Sequence, residues 1–406
     1  MFIKFILNKP YKHIIRGVVT MRRLLDYCSI SKNVVSKFEG KKKYVATGDI
    51  IENEIKSFEK VTFDNRPSRA KQIGKNGDVI FAKMKDTVKV LKISDENEEN
   101  IYSTGFFVLS PTEKINSNYL FWLLNSKKFN YEKDKRCHGA TQKALNNEDL
   151  GKILIKDIPD IEQQINISDI LEKTDNIIKD RKKQINELHE LVKSQFVEMF
   201  GNLSENTMHW KEYDINKIVK GNLNNGYFAK RNEYVENGNV EIIGVASVVN
   251  RMFSNIDNLP MTNANKQDIE KYRVRYGDLL FCRSSLVAEG IGKASIVPKN
   301  VKSNQLFECH VIRMHLNLNE CVPEYIQKLT EDNYFRKQLM KGAKTATMTT
   351  IGQNDILKCK VLLPPIELQN KFASFVEQID KQKFEIKKSL TEMENLYNSL
   401  MNEYFG

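Results

Sequence analysis

The sequence predicts a mixed α/β (α+β) protein in which two similar globular domains alternate with two long helices. We expect the two helices to pair with each other as a coiled coil. Three observations support this prediction: a 44-residue segment occurs twice, both copies have the apolar spacing of a long helix, and similar strand and helix signals precede each copy in the same order. Together they indicate a tandem duplication.

The repeated segment occupies residues 158–201 and 363–406. Aligned without a gap, the copies share fourteen identical residues, against roughly two or three expected from composition alone. The identities are Pro159/Pro364, Ile161/Ile366, Glu162/Glu367, Gln164/Gln369, Glu172/Glu377, Asp175/Asp380, Lys182/Lys387, Lys183/Lys388, Glu187/Glu392, Leu191/Leu396, Ser194/Ser399, Glu198/Glu403, Phe200/Phe405 and Gly201/Gly406. The proline and the glycine mark helix boundaries. Each copy predicts one helix of about 38 residues, roughly 57 Å long at 1.5 Å per residue.

An apolar seam with alternating spacings of three and four runs along each predicted helix. The seam residues are Ile167, Leu171, Ile178, Ile185, Leu188 and Val192 in the first helix, and Phe372, Val376, Ile379, Ile386, Leu390, Met393 and Tyr397 in the second. Where the first copy has polar Thr174 and Arg181, the second has apolar Ile379 and Ile386. Because the seams differ, we expect each helix to pair with the other rather than with itself.

The duplication sets the predicted domain boundaries. Residues 1–20 form a leader without a counterpart in the second half, and we interpret it as a disordered arm or a start-site artefact. The first globular domain is expected at 21–157, the central helix at 158–206, the second globular domain at 207–362 and the C-terminal helix at 363–406.

Matching elements recur inside the two globular domains. The first has strand signals in KYVATGDII, GDVIFAKMK and TGFFVLSP, a helix from Asn118, and a polar loop from Lys133, KDKRCHGATQKALNNEDL. The second has GDLLFCRSS, CHVIRMHL, a helix from Pro323 and a loop from Met340, MKGAKTATMTTIGQNDI. The loops share Gly139-Ala140 with Gly342-Ala343 and Asp149 with Asp355, so we expect these positions to be equivalent.

The basic charge lies outside the repeated helices. The whole chain carries +11, whereas residues 158–201 carry −3 and residues 363–406 carry −2, so the remaining residues carry +16. A basic surface concentrated on the globular domains favours binding to a polyanion such as nucleic acid over a protein that is merely basic and soluble.

The composition gives no sign of a membrane, a metal or a catalytic centre. No apolar run approaches the 18 or so residues of a membrane span, and the opening residues lack a cleavage site, so we expect a cytoplasmic protein. The six cysteines include no Cys-x-x-Cys pair, which predicts reduced, mostly buried thiols and no metal site. No convincing nucleophile–base pair is present. We therefore expect no catalytic, cofactor-binding or metal-binding residues in this chain.

Basic and amide side chains in the repeated loops are the candidate DNA contacts. Arg and Lys bind guanine or phosphate, Gln binds adenine, and Ser and Thr bind either phosphate or base edges. The candidates are Lys83, Lys85, Thr141, Gln142 and Lys143 in the first domain, and Arg283, Ser284, Ser285, Lys344, Thr345 and Thr347 in the second. Any one of them is as well explained as a solvated surface residue, but their recurrence at matching places favours the set.

The order domain–helix–domain–helix resembles the DNA-specificity (S) subunit of type I restriction–modification systems. Each helix is entered by I/L-P-x-I-E-x-Q and ends in E-x-F-G, and the resemblance covers nearly the whole chain from Met21. It implies that each globular domain is a target-recognition domain for one half of a bipartite double-stranded DNA sequence. It also implies that the seam helices form an antiparallel coiled coil, which gives the chain an internal pseudo-twofold. These helices would then set the spacer length and dock two methyltransferase subunits.

By this resemblance the chain has no catalytic activity and binds no cofactor. Methyl transfer from S-adenosylmethionine and DNA cleavage belong to partner modification and restriction/translocase subunits. Two alternatives stay open: a specificity subunit of a methyltransferase-only complex, and a duplicated coiled-coil adaptor that binds only protein. The +16 outside the helices argues against the adaptor.

Overall fold

The computed structural model describes residues 20–285, 288–345 and 349–406, with the backbone alone for residues 288, 344 and 345. All of the predicted leader except its last residue lies outside these ranges. The chain divides into two compact units. Unit 1 comprises the chain up to Lys182 together with Lys388–Gly406, and unit 2 comprises Lys183–Lys387. Each long helix is therefore shared between the units.

Unit 1 contains twelve described strands, three short α-helices, two short 3-10 helices and parts of both long α-helices. Its strands are β1 (Met21–Arg23), β2 (Cys28–Ile30), β3 (Lys42–Val45), β4 (Ile50–Ile51), β5 (Glu54–Ile55), β6 (Glu59–Val61), β7 (Ala70–Gln72), β8 (Val79–Ala82), β9 (Val90–Lys92), β10 (Ile101–Ser103), β11 (Phe106–Pro111) and β12 (Leu154–Lys156). Its helices are α1 (Ser117–Asn125), α2 (Lys127–Lys135), α3 (Asn147–Leu150) and the start of the first long helix, α4 (Ile161–Phe200).

Two four-stranded sheets form the body of unit 1. The antiparallel sheet β2-β11-β8-β9 packs against α1 and α2, whose buried residues share one core with Phe81 and Phe107. The second sheet has the order β6-β3-β10-β7, in which only β3 and β10 run parallel. Strand β1 pairs with β12, so the opening and closing strands of the globular domain meet.

Unit 2 repeats this plan. Its strands are β13 (Glu212–Asp214), β14 (Asn224–Asn225), β15 (Val240–Ile243), β16 (Met261–Thr262), β17 (Leu279–Cys282), β18 (Ser284–Ser285), β19 (Ala294–Ile296), β20 (Gln305–Phe307), β21 (Val311–Met314), β22 (Lys344–Thr345), β23 (Thr349–Thr350) and β24 (Lys360–Leu362). Its helices are α5 (Val245–Val248), α6 (Lys266–Tyr272), α7 (Pro323–Glu331), α8 (Asn333–Met340), α9 (Gln353–Leu357) and the start of the second long helix, α10 (Ile366–Phe405).

The sheets of unit 2 correspond to those of unit 1. The sheet β14-β21-β17-β19 matches β2-β11-β8-β9 in strand order, and the pair β13–β24 matches β1–β12. The sheet β16-β15-β20 again contains one parallel pair, β15 with β20. The predicted duplication therefore extends from the helices to the topology of both globular domains.

The two long helices run antiparallel within each unit. In unit 1, Lys182 Nζ lies 3.5 Å from Glu394 Oε1, and Leu171 shares a core with Leu400. In unit 2, the rings of Phe200 and Phe372 are 5.6 Å apart. None of the predicted seam residues is exposed; each is buried or half-buried.

Two local predictions within unit 1 need correction. The polar loop expected from Lys133 begins later, because α2 continues to Lys135 after the Ser126 hydroxyl caps it by accepting a hydrogen bond from Phe129 N. The strand expected in KYVATGDII is broken, because Asp49 Oδ2 accepts a 2.7 Å hydrogen bond from Ala46 N and closes a turn between β3 and β4.

Candidate nucleic-acid interface

A glycine–aspartate turn begins the same inner strand in each unit. Gly77 and Gly277 have φ of +89° and +83°, a conformation that favours glycine. Asp78 Oδ2 accepts a 3.0 Å hydrogen bond from Lys75 N, and Asp278 Oδ2 accepts a 2.9 Å hydrogen bond from Arg275 N. The shared Gly-Asp motif is therefore structural, and it fixes where β8 and β17 deliver the candidate residues that follow them.

In unit 1 the segment after β8 pairs with a hairpin at residues 138–144. Leu145 N donates to Lys83 O at 2.9 Å, and Lys85 N donates to Lys143 O at 3.0 Å. His138 and Ala144 close the hairpin through two backbone hydrogen bonds. The two groups of candidate residues in the first domain, which are more than 50 positions apart in sequence, thus lie in one corner. We call it the unit 1 corner (residues 83–85 and 138–144).

Unit 2 has the same arrangement after β17. Ser284 pairs with Thr350 and Ser285 with Thr349, while Lys344 closes the hairpin opposite Thr350. Ile351 N also donates to Arg283 O at 3.0 Å. We call residues 283–285, 344–345 and 349–350 the unit 2 corner. Of its predicted contacts, Thr347 lies outside the described residues, and Lys344 and Thr345 are placed by their backbone in β22.

The side chains of the unit 1 corner differ in their availability. Lys85, Thr141, Gln142 and Lys143 are exposed. The ammonium of Lys83 instead lies 4.3 Å from the centroid of the Phe107 ring, and burial lowers its pKa. Lys83 therefore supports the corner from inside, and the exposed side chains are those that could meet a ligand.

The unit 2 corner shows a similar division. Arg283 and Ser285 are half-buried, and one guanidinium nitrogen of Arg283 lies 3.4 Å from Cys309 O. Ser284 is buried, with 7% of its surface exposed, and its hydroxyl is hydrogen-bonded to His310 at 2.6 Å. Ser284 is thus placed to orient a neighbour rather than to contact a ligand itself.

The prediction that Gly139-Ala140 and Gly342-Ala343 are equivalent is wrong. The pair that closes the hairpin is His138 with Ala144 in unit 1 and Lys344 with Thr350 in unit 2. Gly139-Ala140 therefore follows the first residue of the closing pair, whereas Gly342-Ala343 precedes it. Backbone pairing, not the small residues, sets this register. Asp149 and Asp355 do correspond, since each is the third residue of the short helix after the hairpin.

The glutamine of the helix-entry motif joins each long helix to its globular domain. Gln164 is fully buried; its Oε1 accepts from Asn116 N at 2.7 Å, and its Nε2 donates to Lys114 O at 3.0 Å. Gln369 is 1% exposed, and its Oε1 accepts from Val322 N at 3.0 Å. Asn116 and Val322 are the N-cap residues of α1 and α7, so the two glutamines make the same connection.

We expect Gln164→Met to lower the free energy of unfolding by about 1–3 kcal/mol, because it removes the buried amide that pairs with the part-buried Asn116 N–H and with the Lys114 carbonyl. Gln163→Met is the matched control, since Gln163 is exposed one position earlier. Chemical denaturation of both variants measures the difference. Equal stability of the two variants would contradict this role for Gln164.

The described residues contain no group of three or more His, Cys, Asp or Glu side chains arranged to hold a metal ion. Over the same part of the chain, no helix combines the length and apolar character needed to cross a membrane. All six cysteines are unpaired thiols, and five of them are buried.

The sequence pattern described as "Type I restriction modification DNA specificity domain" matches residues 20–190 and again residues 208–394. The chain belongs to this type I DNA-specificity family. Both matches combine a globular domain with much of the long helix that follows it, so the family pattern itself is present twice.

Specificity subunits from two organisms are similar to this chain. The EcoKI specificity subunit from Escherichia coli K12 is 25% identical over 219 residues, which cover 53% of this chain and 46% of that one. The MjaVIII specificity subunit from Methanocaldococcus jannaschii is 22% identical over 323 residues, covering 74% of this chain and 73% of that one. The chain thus aligns with less than half of the E. coli relative and with about three quarters of the archaeal one.

Solved structures share the fold. A crystal structure of the type I restriction-modification system S subunit from M. genitalium superimposes with a TM-score of 0.61 at 15% identity and covers 97% of both chains. A chain from a study of complex assembly and conformational transition of the type I R-M system gives 0.56 at 16% identity, covering 95% of this chain and 97% of that one. The predicted fold class and family resemblance are confirmed.

A second basic surface in unit 1 was not among the predicted contacts. Residues 32–75 carry eleven Lys or Arg and six Asp or Glu. Lys43 lies directly opposite Lys60 on the edge strand β6, and its ammonium is 4.8 Å from the ring of exposed Phe58. Two like charges directly opposite each other destabilise a sheet unless an anion binds or solvent screens them. Lysines on an edge strand also prevent that strand from pairing with the edge of another sheet. The lysine run 41–43 was the sequence signal for this surface.

Proposed function

We propose that this chain is the non-catalytic, sequence-specific DNA-binding subunit of a type I restriction–modification complex. Each unit reads one half of a bipartite double-stranded DNA target through its corner. The observation that carries the proposal is that the corner occurs twice. In each unit, the segment that follows the Gly-Asp strand pairs with an equivalent hairpin, and the chain belongs to the DNA-specificity family.

The chemistry of the unit 1 corner suits a nucleic acid. Lys85 and Lys143 supply positive charge for phosphates, while Thr141 and Gln142 supply hydrogen-bonding groups for base edges. Backbone hydrogen bonds at 2.9–3.1 Å hold the loops that carry these exposed side chains. A rigid backbone beneath exposed polar side chains lowers the entropic cost of forming a specific interface.

The long helices are proposed to set the spacer between half-sites and to dock two methyltransferase subunits. The seam residues predicted for docking are buried or half-buried within the units. We therefore propose that the methyltransferase subunits contact the apolar side chains of the long helices that remain exposed. On α4 these include Ile161 and Ile165 in unit 1, 39% and 43% exposed, and Leu191 and Val197 in unit 2, 43% and 52% exposed.

Catalysis is assigned to the partners. The methyltransferase subunits use S-adenosylmethionine to methylate the target, and restriction/translocase subunits join through the complex. The family relationship and the similarity to specificity subunits support this division of labour.

The experiment that tests the proposal is a methylome. The chain is expressed with its genomic neighbour methyltransferase in a host that lacks DNA methylation, and modified adenines are mapped by long-read sequencing. We expect a bipartite motif with a fixed gap, which disappears when this chain is omitted.

Two other outcomes discriminate between the alternatives. Chain-dependent methylation that is never accompanied by restriction of unmodified DNA, when all genomic neighbours are supplied, would favour a methyltransferase-only complex. No chain-dependent methylation, in cells where the two proteins co-purify, would overturn the DNA-reading role in favour of a protein adaptor.

A further inference from the structure

His310 lies at the edge of the unit 2 corner. It directly precedes β21, and its carbonyl oxygen accepts a 2.9 Å hydrogen bond from Arg283 N. Its side chain is exposed. The residue therefore lies next to the end of the Gly-Asp strand β17, at the point where the chain enters the corner.

The His310 imidazole is held by a buried hydroxyl. Ser284 Oγ is 2.6 Å from His310 Nδ1, and Ser284 is itself fixed by its backbone pairing with Thr350 of the hairpin. Among the described residues, no protein group is hydrogen-bonded to Nε2 of this histidine. One ring nitrogen is thus used to fix the orientation of the ring, and the other remains for an external partner.

Unit 1 has neither group at the equivalent positions. Lys83 N donates to Gly105 O at 2.9 Å, as Arg283 N donates to His310 O. The flanking pairs agree, since Phe106 pairs with Ala82 as Val311 pairs with Cys282. His310 therefore corresponds to Gly105, and by the same offset Ser284 corresponds to Met84.

We propose that His310 is a specificity-determining residue that contacts a base edge in the half-site read by unit 2, and that Ser284 is its positioning residue. The proposal rests on the proposed function. Nε2 can donate to a purine acceptor, or accept from an exocyclic amino group when the Ser284 hydroxyl accepts from Nδ1. Burying the Ser284 hydroxyl has a desolvation cost. That cost is explained if the orientation of the exposed imidazole matters for binding, and it is not explained if the imidazole is only a solvated surface group.

In the test, the half-site read by unit 1 is the internal control for the half-site read by unit 2. His310→Gly, which installs the unit 1 residue, and Ser284→Ala are each expressed in the full chain with the methyltransferase, and the methylomes are compared with that of the unchanged chain. We expect one position of the unit 2 half-site to become degenerate in His310→Gly, with discrimination there reduced about 5- to 150-fold. The unit 1 half-site is expected to stay unchanged.

Further variants separate base contact from a structural role. Ser284→Ala is expected to relax the same position less strongly, because the imidazole stays but loses its fixed orientation, and His310→Gln is expected to keep part of the discrimination through its amide. An unchanged unit 2 half-site in His310→Gly would overturn the proposal, as would an equal loss of both half-sites. Absence of chain-dependent methylation with the unchanged sequence would instead refute the proposed function.

Discussion

A chain with four extra residues in each long helix is expected to recognise the same two half-sites with a spacer one to two base pairs longer. Each long helix runs without a break from one unit into the other, so four residues lengthen that path by about 6 Å. Four residues also turn the helix by about 40° beyond a full turn, close to the roughly 34° between successive base pairs.

The insertion points follow from the sequence repeat. Lys182 and Lys387 are equivalent residues, and each lies at the boundary between the two units within its helix. Four residues inserted after each of them form a stutter, which coiled coils accommodate by local unwinding. The methylome of the variant gives both half-sites and the gap directly.

A seven-residue insertion at the same points is the contrasting variant. It adds about 10 Å, the rise of roughly three base pairs, but turns the helix about 20° short of two full turns, whereas three base pairs turn DNA by about 100°. We expect it to methylate poorly at any spacer. An unaltered gap in the four-residue variant, or a change in either half-site, would refute the role of the helices in setting the spacer.

Local patterns made the long helices predictable. The heptad spacing, the leading prolines and the closing glycines lie within the segment they describe, and both helices span 40 residues at equivalent positions. The strands after Gly77 and Gly277 were predictable for the same reason, because the turn that precedes them is built from neighbouring residues.

Long-range hydrogen bonds were beyond the sequence pattern. The motif glutamine was recognised by its repetition, but its bond to Asn116 N joins residues 48 positions apart. The position of Lys83 over Phe107 and the Ser284–His310 pair likewise depend on strand pairing. No periodicity in the sequence indicates such contacts. The sequence could therefore place the candidate residues after matching strands, but it could not show which of their side chains are buried or paired.

The second large effect concerns the aromatic residue that ends each long helix. We expect Phe200→Ala to lower the free energy of unfolding by about 3–5 kcal/mol. Phe200 is fully buried in unit 2, and its ring lies 4.7 Å from that of Tyr325 and 5.6 Å from that of Phe372. Removing it would leave an apolar cavity between the helix end and α7 of the globular domain.

Its counterpart in unit 1 is expected to cost less. The Phe405 ring centroid lies 5.1 Å from that of Tyr119, as the Phe200 ring lies close to Tyr325, but Phe405 is 7% exposed and lines a surface pocket of about 230 Å³. A side chain that faces an open pocket makes fewer contacts with protein atoms than a fully enclosed one, so the loss for Phe405→Ala should fall at or below the lower end of that range. Phe384→Ala on the second long helix, where the ring is 66% exposed, should change stability by no more than about 0.5 kcal/mol. Denaturant titrations of the three variants give the order directly, and a loss at Phe405 equal to that at Phe200 would contradict the predicted difference between the two helix ends.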